Sequence, residues 1–205
     1  MRCVNCGAFS LRTICAACAA NLAECRLNMR QVEGFSVFYY YGYSEIRELI
    51  LSKHHEYGAA VLARIASLSL AKFPLHLQRE ISANPQNYET FKTDGIFKFN
   101  AVPLDDDARS GYSHTAILAR ALKSELIEPK FHCLRAQNRV KYTGQSLEFR
   151  LKHKRNFKIL TPPKFPVILV DDIITSGLSM LQARESLIDG GFMPVCGLVL
   201  ANAKE

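Results

Sequence analysis

Two acidic residues side by side, Asp171 and Asp172, stand ahead of Ile173, Ile174, Thr175, Ser176 and Gly177, and this order of residue types suits one kind of ligand. Adjacent carboxylates accept hydrogen bonds from vicinal hydroxyls. A small hydroxyl and glycine turn that opens a helix can aim backbone N–H groups, and the positive end of the helix dipole, at a phosphate. Together they make a seat for a sugar phosphate. Helix capping and surface charge give a plainer account, but two neighbouring carboxylates repel each other and gain no more than one cap, so a ligand that uses both is favoured. A receiver-type, metal-assisted aspartate pocket also collects acids at strand ends, yet it leaves Thr175, Ser176 and Gly177 without a role. No Gly-x-x-x-x-Gly-Lys precedes a helix anywhere in the chain, which excludes a Walker-type phosphate loop.

A second cluster lies at the other end of the chain. Cys3 and Cys6, then Cys15 and Cys18, form two Cys-x-x-Cys pairs eight residues apart, each able to place two thiolates on one tetrahedral ion. Four thiolates close the coordination sphere, so the implied metal is structural zinc, favoured here over disulfides or unligated thiols. Cys25, Cys133 and Cys196 read as small packing residues.

The elements that must position these groups follow from the apolar pattern. Val167 to Val170 is an aliphatic run that predicts a buried strand surfacing at Asp171. A helix follows over about 178–189, stopped by Gly190 and Gly191, and a last strand runs from Val195 to Leu200. Upstream, Gly34 to Tyr43 predicts an aromatic strand whose tyrosines suit core packing better than base stacking. Ser44 would cap a helix carrying Ile46, Leu49 and Ile50, and a second apolar pattern spans about 57–73. Lys53 between them is an ordinary lysine near a helix end. Residues 77–94 read as loop. Ile96 to Leu104 predicts a strand, Ser113 to Leu126 a helix, and Phe131 to Leu134 another strand. Strands alternating with helices predict an α/β fold with a parallel sheet and helices on both faces, whose ligands bind beyond the carboxyl ends of the strands.

The chain has 205 residues, is 48% apolar and carries a formal charge of +7, enough for one substantial domain with a small appendage. There is no apolar run of about 18 residues to span a membrane and no secretory signal, so a cytoplasmic protein is expected. Between Arg135 and Lys158 eight Lys or Arg face a single Glu, and the remainder of the chain sums to zero. That segment admits three readings: a mobile lid, which its length, its charge and the interruption at Thr143 and Gly144 suit, a nucleic-acid surface formed by Lys141, Arg150, Lys152, Lys154 and Arg155 with Phe149 and Phe157 interleaved, or a solvated helix face. Its unbalanced charge favours contact with a polyanion.

The run from Val167 to Gly177 resembles the phosphoribosyl pyrophosphate (PRPP) motif of type I phosphoribosyltransferases. The likeness widens to the ComF/GntX family through the four cysteines, Tyr41-Gly42-Tyr43 with Leu49, Ile50 and Lys53, Val102-Pro103-Leu104, Arg109 with Gly111, Tyr112 and His114, Leu118 to Leu122, and Arg150. This resemblance implies a four-cysteine zinc-finger domain at 1–30 and a phosphoribosyltransferase-like domain at 31–205, with a helical hood at 31–95, a core at 96–205 and a basic mobile segment at 135–158. It implies that Asp171 and Asp172 bind the ribose hydroxyls and that Ile173, Ile174, Thr175, Ser176 and Gly177 wrap the 5′-phosphate. The pyrophosphate would lie near Pro103, Leu104 and Asp105 with Mg²⁺ bridging its oxygens, and Lys53 or Arg109 would add positive charge. In the competence branch of the family the implied role is handling of single-stranded DNA during natural transformation, beside a DNA-uptake helicase of the ComFA type. The alternative is an active transferase moving ribose 5-phosphate from PRPP to an unidentified acceptor.

Overall fold

The computed structural model describes residues 1–104, 111–138 and 155–204. Asp105, Arg109, Lys141, Arg150, Lys152 and Lys154, together with Thr143 and Gly144, lie outside the described residues.

The chain folds as an α/β protein around a six-stranded, mostly parallel sheet. Its elements in order are α1 (Ala16–Ala23), β1 (Asn28–Val32), β2 (Phe35–Gly42), α2 (Tyr43–Leu51), α3 (Gly58–Leu68), α4 (Phe73–Ala83), β3 (Lys92–Thr93), β4 (Ile96–Phe97), β5 (Phe99–Pro103), α5 (His114–Arg120), β6 (Ile127–Pro129), β7 (Leu134–Ala136), β8 (Phe157–Ile159), β9 (Val167–Ile174), α6 (Leu178–Asp189) and β10 (Pro194–Asn202). The main sheet runs β1-β2-β10-β9-β5-β6, with β1 antiparallel and the other pairings parallel, while β3–β4 and β7–β8 form separate ribbons.

Val167 to Val170 are wholly buried because apolar layers cover both faces of the sheet. One layer packs α1 to α5 on Ile168, Val170, Leu198 and Leu200. The other packs α6 and the β7–β8 ribbon on Val167, Leu169 and Val199. Each such aliphatic side chain contributes about 1.5–3 kcal/mol on burial, which offsets the cost of the carboxylates at the end of the same strand. At one edge, β6 is blocked against further pairing. Ser124 N–H donates to the Ile127 carbonyl at 3.0 Å, Ile127 N–H donates to Ser124 Oγ at 3.0 Å, and Pro129 has no N–H to offer.

Several boundaries differ from the sequence pattern. The aromatic strand holds, and Tyr40 and Tyr41 are core residues. Ser44 is not the cap of α2: that helix begins at Tyr43 with Gly42 as N-cap, whose N–H donates to Glu45 Oε2 at 2.7 Å. Part of the expected loop at 77–94 is helical, since Phe73, Leu77 and Ile81 recur at four-residue spacing and all are buried in α4; a 3₁₀ segment, Pro85–Phe91, follows. The α5 helix ends at Arg120 rather than Leu126, because the turn through Ser124 takes over the backbone bonds. Of the expected strand Phe131 to Leu134, only Leu134 is in a strand, as the first residue of β7. β6 and β7 flank a turn that holds buried Cys133. An 18-residue window within the helical stretch Gly58–Ala83 reaches mean hydropathy 1.3, which by length and composition alone is apolar enough to cross a membrane. Its helices break at Ser69 (φ −125°, ψ −75°), and Val61, Leu62, Ile65, Leu70 and Phe73 fill the core.

The start of α3 is closely packed. A Cβ at Gly58 would stand 2.1 Å from the Ser52 carbonyl oxygen and 2.4 Å from the Tyr112 hydroxyl. The first of these is backbone and cannot rotate away. Gly58→Ala is therefore expected to lower stability by about 2–3 kcal/mol in denaturant titration, and a loss below about 0.5 kcal/mol would contradict this packing.

Candidate functional site

β5 leaves the centre of the sheet through α5 toward β6, on one face. Its neighbour β9 leaves through α6 toward β10, on the other. The crevice between the carboxyl ends of β5 and β9 is thus a topological switch point, the place where open α/β sheets bind ligands. Pro103 pairs with Val170, and Leu104 N–H donates to the Val170 carbonyl at 2.8 Å. The two expected strand-end segments, Pro103–Leu104 and Asp171–Gly177, therefore adjoin although far apart in sequence.

β9 continues two residues past the carboxylates, to Ile174, because Ile173 and Ile174 still pair with Ala201 and Asn202. The acids are therefore part of the strand rather than beyond it. Asp172 is 3% exposed, whereas Asp171 is only partly buried. Lys53 Nζ meets Asp172 Oδ2 at 2.5 Å. That lysine comes from the 3₁₀ turn Ser52–His54 after α2, and the Tyr112 hydroxyl donates to its backbone carbonyl at 2.9 Å. Gly58, packed on Ser52 and Tyr112, closes the same cluster. His114, first residue of α5 behind the Ser113 cap, puts Nε2 4.0 Å from Asp172 Oδ2.

These contacts separate the two acids electrostatically. Burial and the adjacent Asp172 charge push Asp171 up to about 8, against weaker opposing effects from the Asp172 N–H, Arg155 and Lys53. Burial would raise Asp172 as well, but the Lys53 ammonium and His114 outweigh it and hold Asp172 below the usual carboxylate range. Lys53 is raised for the reciprocal reason: desolvation disfavours its charge, and the carboxylates more than compensate. At neutral pH the acid pair therefore keeps one proton and one negative charge, both useful toward a diol. The ligand atoms of His114, Asp171 and Asp172 lie within 4.8 Å of one another and could also hold a metal ion.

Beyond the acids, Gly177 has φ +85° and N-caps α6, a conformation that only glycine adopts without strain. Arg155, the one described cation of the expected nucleic-acid surface, sits at the foot of the β7–β8 ribbon, and Phe157 of that surface is buried in the core. The Arg155 N–H donates to Gln182 Oε1 of α6 at 2.9 Å, and its charge acts on Asp171. Gly58 gave no positional signal in the sequence, and Tyr112 and His114 entered only through the family resemblance, since their partners lie on distant elements.

The four cysteines converge as expected: the Sγ atoms of Cys3, Cys6, Cys15 and Cys18 lie within 4.8 Å of one another and could hold a metal ion, consistent with a structural zinc site. Cys15 N–H donates to Cys3 Sγ at 3.3 Å and Cys18 N–H to Cys15 Sγ at 3.5 Å, the amide pattern that supports thiolates. Burial works against the Cys3 thiolate, yet the N–H groups of Cys15, Cys6 and Asn5 bring it down to about 6. Cys25 is apart from this set, with its thiol donating to the Leu68 carbonyl, and Cys133 and Cys196 are buried in the core.

Two open clefts lie away from the crevice. One, of about 470 Å³, adjoins β6 among Lys98, Arg120 and Lys123. The other, of about 670 Å³, lies between the cysteine module and α3. Neither contains the charge-separated acids, so the β5–β9 crevice is the better chemical site. Comparison with protein-family models and with curated proteins found no match for this chain.

The acid pair fixes a pH dependence. Folded Asp171 keeps its proton up to about pH 8, whereas the unfolded chain loses it near 3.8, so between those values the native state binds the extra proton and this residue's contribution falls as pH rises. Wild type is expected to lose stability relative to Asp171→Asn as pH goes from 5 to 8. A difference that does not change with pH would contradict the raised value.

Proposed function

We propose that the protein binds PRPP with Mg²⁺ through a type I phosphoribosyltransferase-like core, carries structural zinc on its four cysteines, and handles single-stranded DNA in natural transformation. The observation that carries the first part is the switch-point crevice, where a charge-separated acid pair meets a glycine turn opening a twelve-residue helix. In this reading the ribose diol lies on Asp171 and Asp172, with the ionised acid accepting and the protonated one able to donate. The 5′-phosphate sits on the N–H groups of residues 173–177 at the start of α6. The pyrophosphate extends over Pro103 and Leu104, and Lys53 moves its charge from Asp172 toward it as the ligand arrives. Mg²⁺ supplies charge neutralisation between pyrophosphate oxygens and nearby acids.

The DNA-handling part rests on the sequence resemblance and on the concentration of net charge between Arg135 and Lys158. A helicase of the ComFA type is the partner it implies. The four thiols need a cation because neighbouring thiolates cannot all ionise side by side without one. Cys18 illustrates this: Asn5 favours its thiolate, but burial and the other thiols push it up to about 12.

Calorimetry with PRPP and Mg²⁺ tests the pocket. Replacing Asp171 and Asp172 together by Ala should weaken binding at least about tenfold, or ~1.4 kcal/mol, and equal affinity would reject the site. In the same preparation, single-stranded DNA binding should fall steeply with salt and should weaken when Arg150, Lys152, Lys154 and Arg155 are neutralised. Unchanged DNA binding would remove the basic segment from the account.

A further inference from the structure

The turn that opens α6 is held from outside by β1, an edge strand to which no role has been given. Arg30 Nη1 donates to the Thr175 carbonyl at 2.8 Å and to Asn202 Oδ1 at 3.0 Å. Asn202 is itself buried at the end of β10, and its Nδ2 donates to the Lys204 carbonyl at 2.7 Å, so the guanidinium rests on a fixed post. Two residues along β1, Val32 packs on the same turn: a Cβ at Gly177 would stand 2.5 Å from Val32 Cγ1. Both contacts are long-range in sequence, and both fall on the turn from Thr175 to Gly177 within the phosphate seat.

Peptide geometry gives these contacts a direction. In a trans peptide the C=O and the following N–H point opposite ways. With the Thr175 carbonyl drawn outward to Arg30, the Ser176 N–H points away from β1. A carbonyl that accepts from a cation is also polarised, which makes the N–H of its own peptide a stronger donor. Both Arg30 acceptors are neutral, and among the described residues it pairs with no carboxylate. Its full charge thus remains behind the turn, where a buttress made only for packing would need none.

We propose that Arg30 is a positioning residue for the anion seat: it aims and strengthens the Ser176 N–H toward a phosphate monoester and adds a positive charge behind the turn. This rests on the reading of the β5–β9 crevice as a sugar-phosphate site. The chemistry it serves is the monoester phosphate and not the diol, so ribose 5-phosphate is the probe of choice.

The test uses the full chain, calorimetry with ribose 5-phosphate, and the amide resonance of Ser176 with and without that ligand. Wild type should bind, with the Ser176 amide moving downfield on binding. Arg30→Ala should bind about tenfold more weakly and show a displaced Ser176 amide before ligand is added. Arg30→Lys, which keeps the charge but cannot hold both acceptors at once, should recover part of the affinity. If Arg30→Ala fails to fold, Arg30→Lys decides, with an expected loss of about two- to fivefold and a displaced Ser176 amide. Wild type that binds while the folded Arg30 variant binds equally well overturns this inference and leaves the pocket standing. So does binding that leaves the Ser176 amide unmoved. Wild type that does not bind ribose 5-phosphate at all overturns the pocket and this inference together.

Discussion

A carboxylate that is almost fully buried must have a cation, and Asp172 imposes that requirement on the architecture. It sits on the central strand of the sheet, where the wholly buried run from Val167 to Val170 carries it out of water. Lys53 supplies the counter-charge from the helical layer. To do so, the turn after α2 must be held at one height above the sheet. The Tyr112 hydroxyl fixes the Lys53 carbonyl, and the absent Cβ of Gly58 lets α3 close onto Ser52 and Tyr112. Removing one partner of such a pair costs on the order of 3–5 kcal/mol, because the other is left charged and dry. The helical layer and the sheet are therefore joined through the candidate site as well as through the core, and a ligand that engages Asp172 or Lys53 changes a contact that organises the fold.

The same constraint explains why the two acids differ. Lys53 Nζ bonds Asp172 directly, whereas Asp171 turns its Oδ1 to the Asp172 N–H at 2.9 Å and feels Lys53 only at longer range. Asp172 takes the cation and is stabilised as the anion. Asp171 inherits burial and a neighbouring negative charge, with Arg155 as a weaker offset, and retains its proton. The pair thus carries one negative charge instead of two. This removes the simplest objection to placing adjacent carboxylates beside a polyanionic ligand.

How much of this was legible in the sequence depends on the range of the interactions. β9, the glycine turn, α6 and the stop at Gly190 follow from local rules: an apolar run, a residue that tolerates positive φ, an amphipathic pattern and a glycine end. The cysteine cluster was equally legible, since its pairs close within a short loop. β1 was not, because an edge strand that buries only Val32 has no alternation to display. The α4 helix was hidden by its polar positions, although Phe73, Leu77 and Ile81 carried the spacing. Lys53 was named for the site only through the family resemblance, and its pairing with Asp172, like the places of His114 and Arg30, could not be read locally, as each acts on a residue far along the chain. Switch-point topology supplied what periodicity could not, by bringing Pro103 and Leu104 to the side of Asp171.

The central claim is that the β5–β9 crevice seats a sugar phosphate between the acid pair and the start of α6. The most direct measurement is a crystal structure of the full chain soaked with ribose 5-phosphate and Mg²⁺. The account predicts phosphate oxygens within about 3 Å of the N–H groups between Thr175 and Gly177, and ribose hydroxyls on Asp171 and Asp172. Density for the sugar phosphate in the cleft beside Arg120 and Lys123, with the crevice empty, would contradict it.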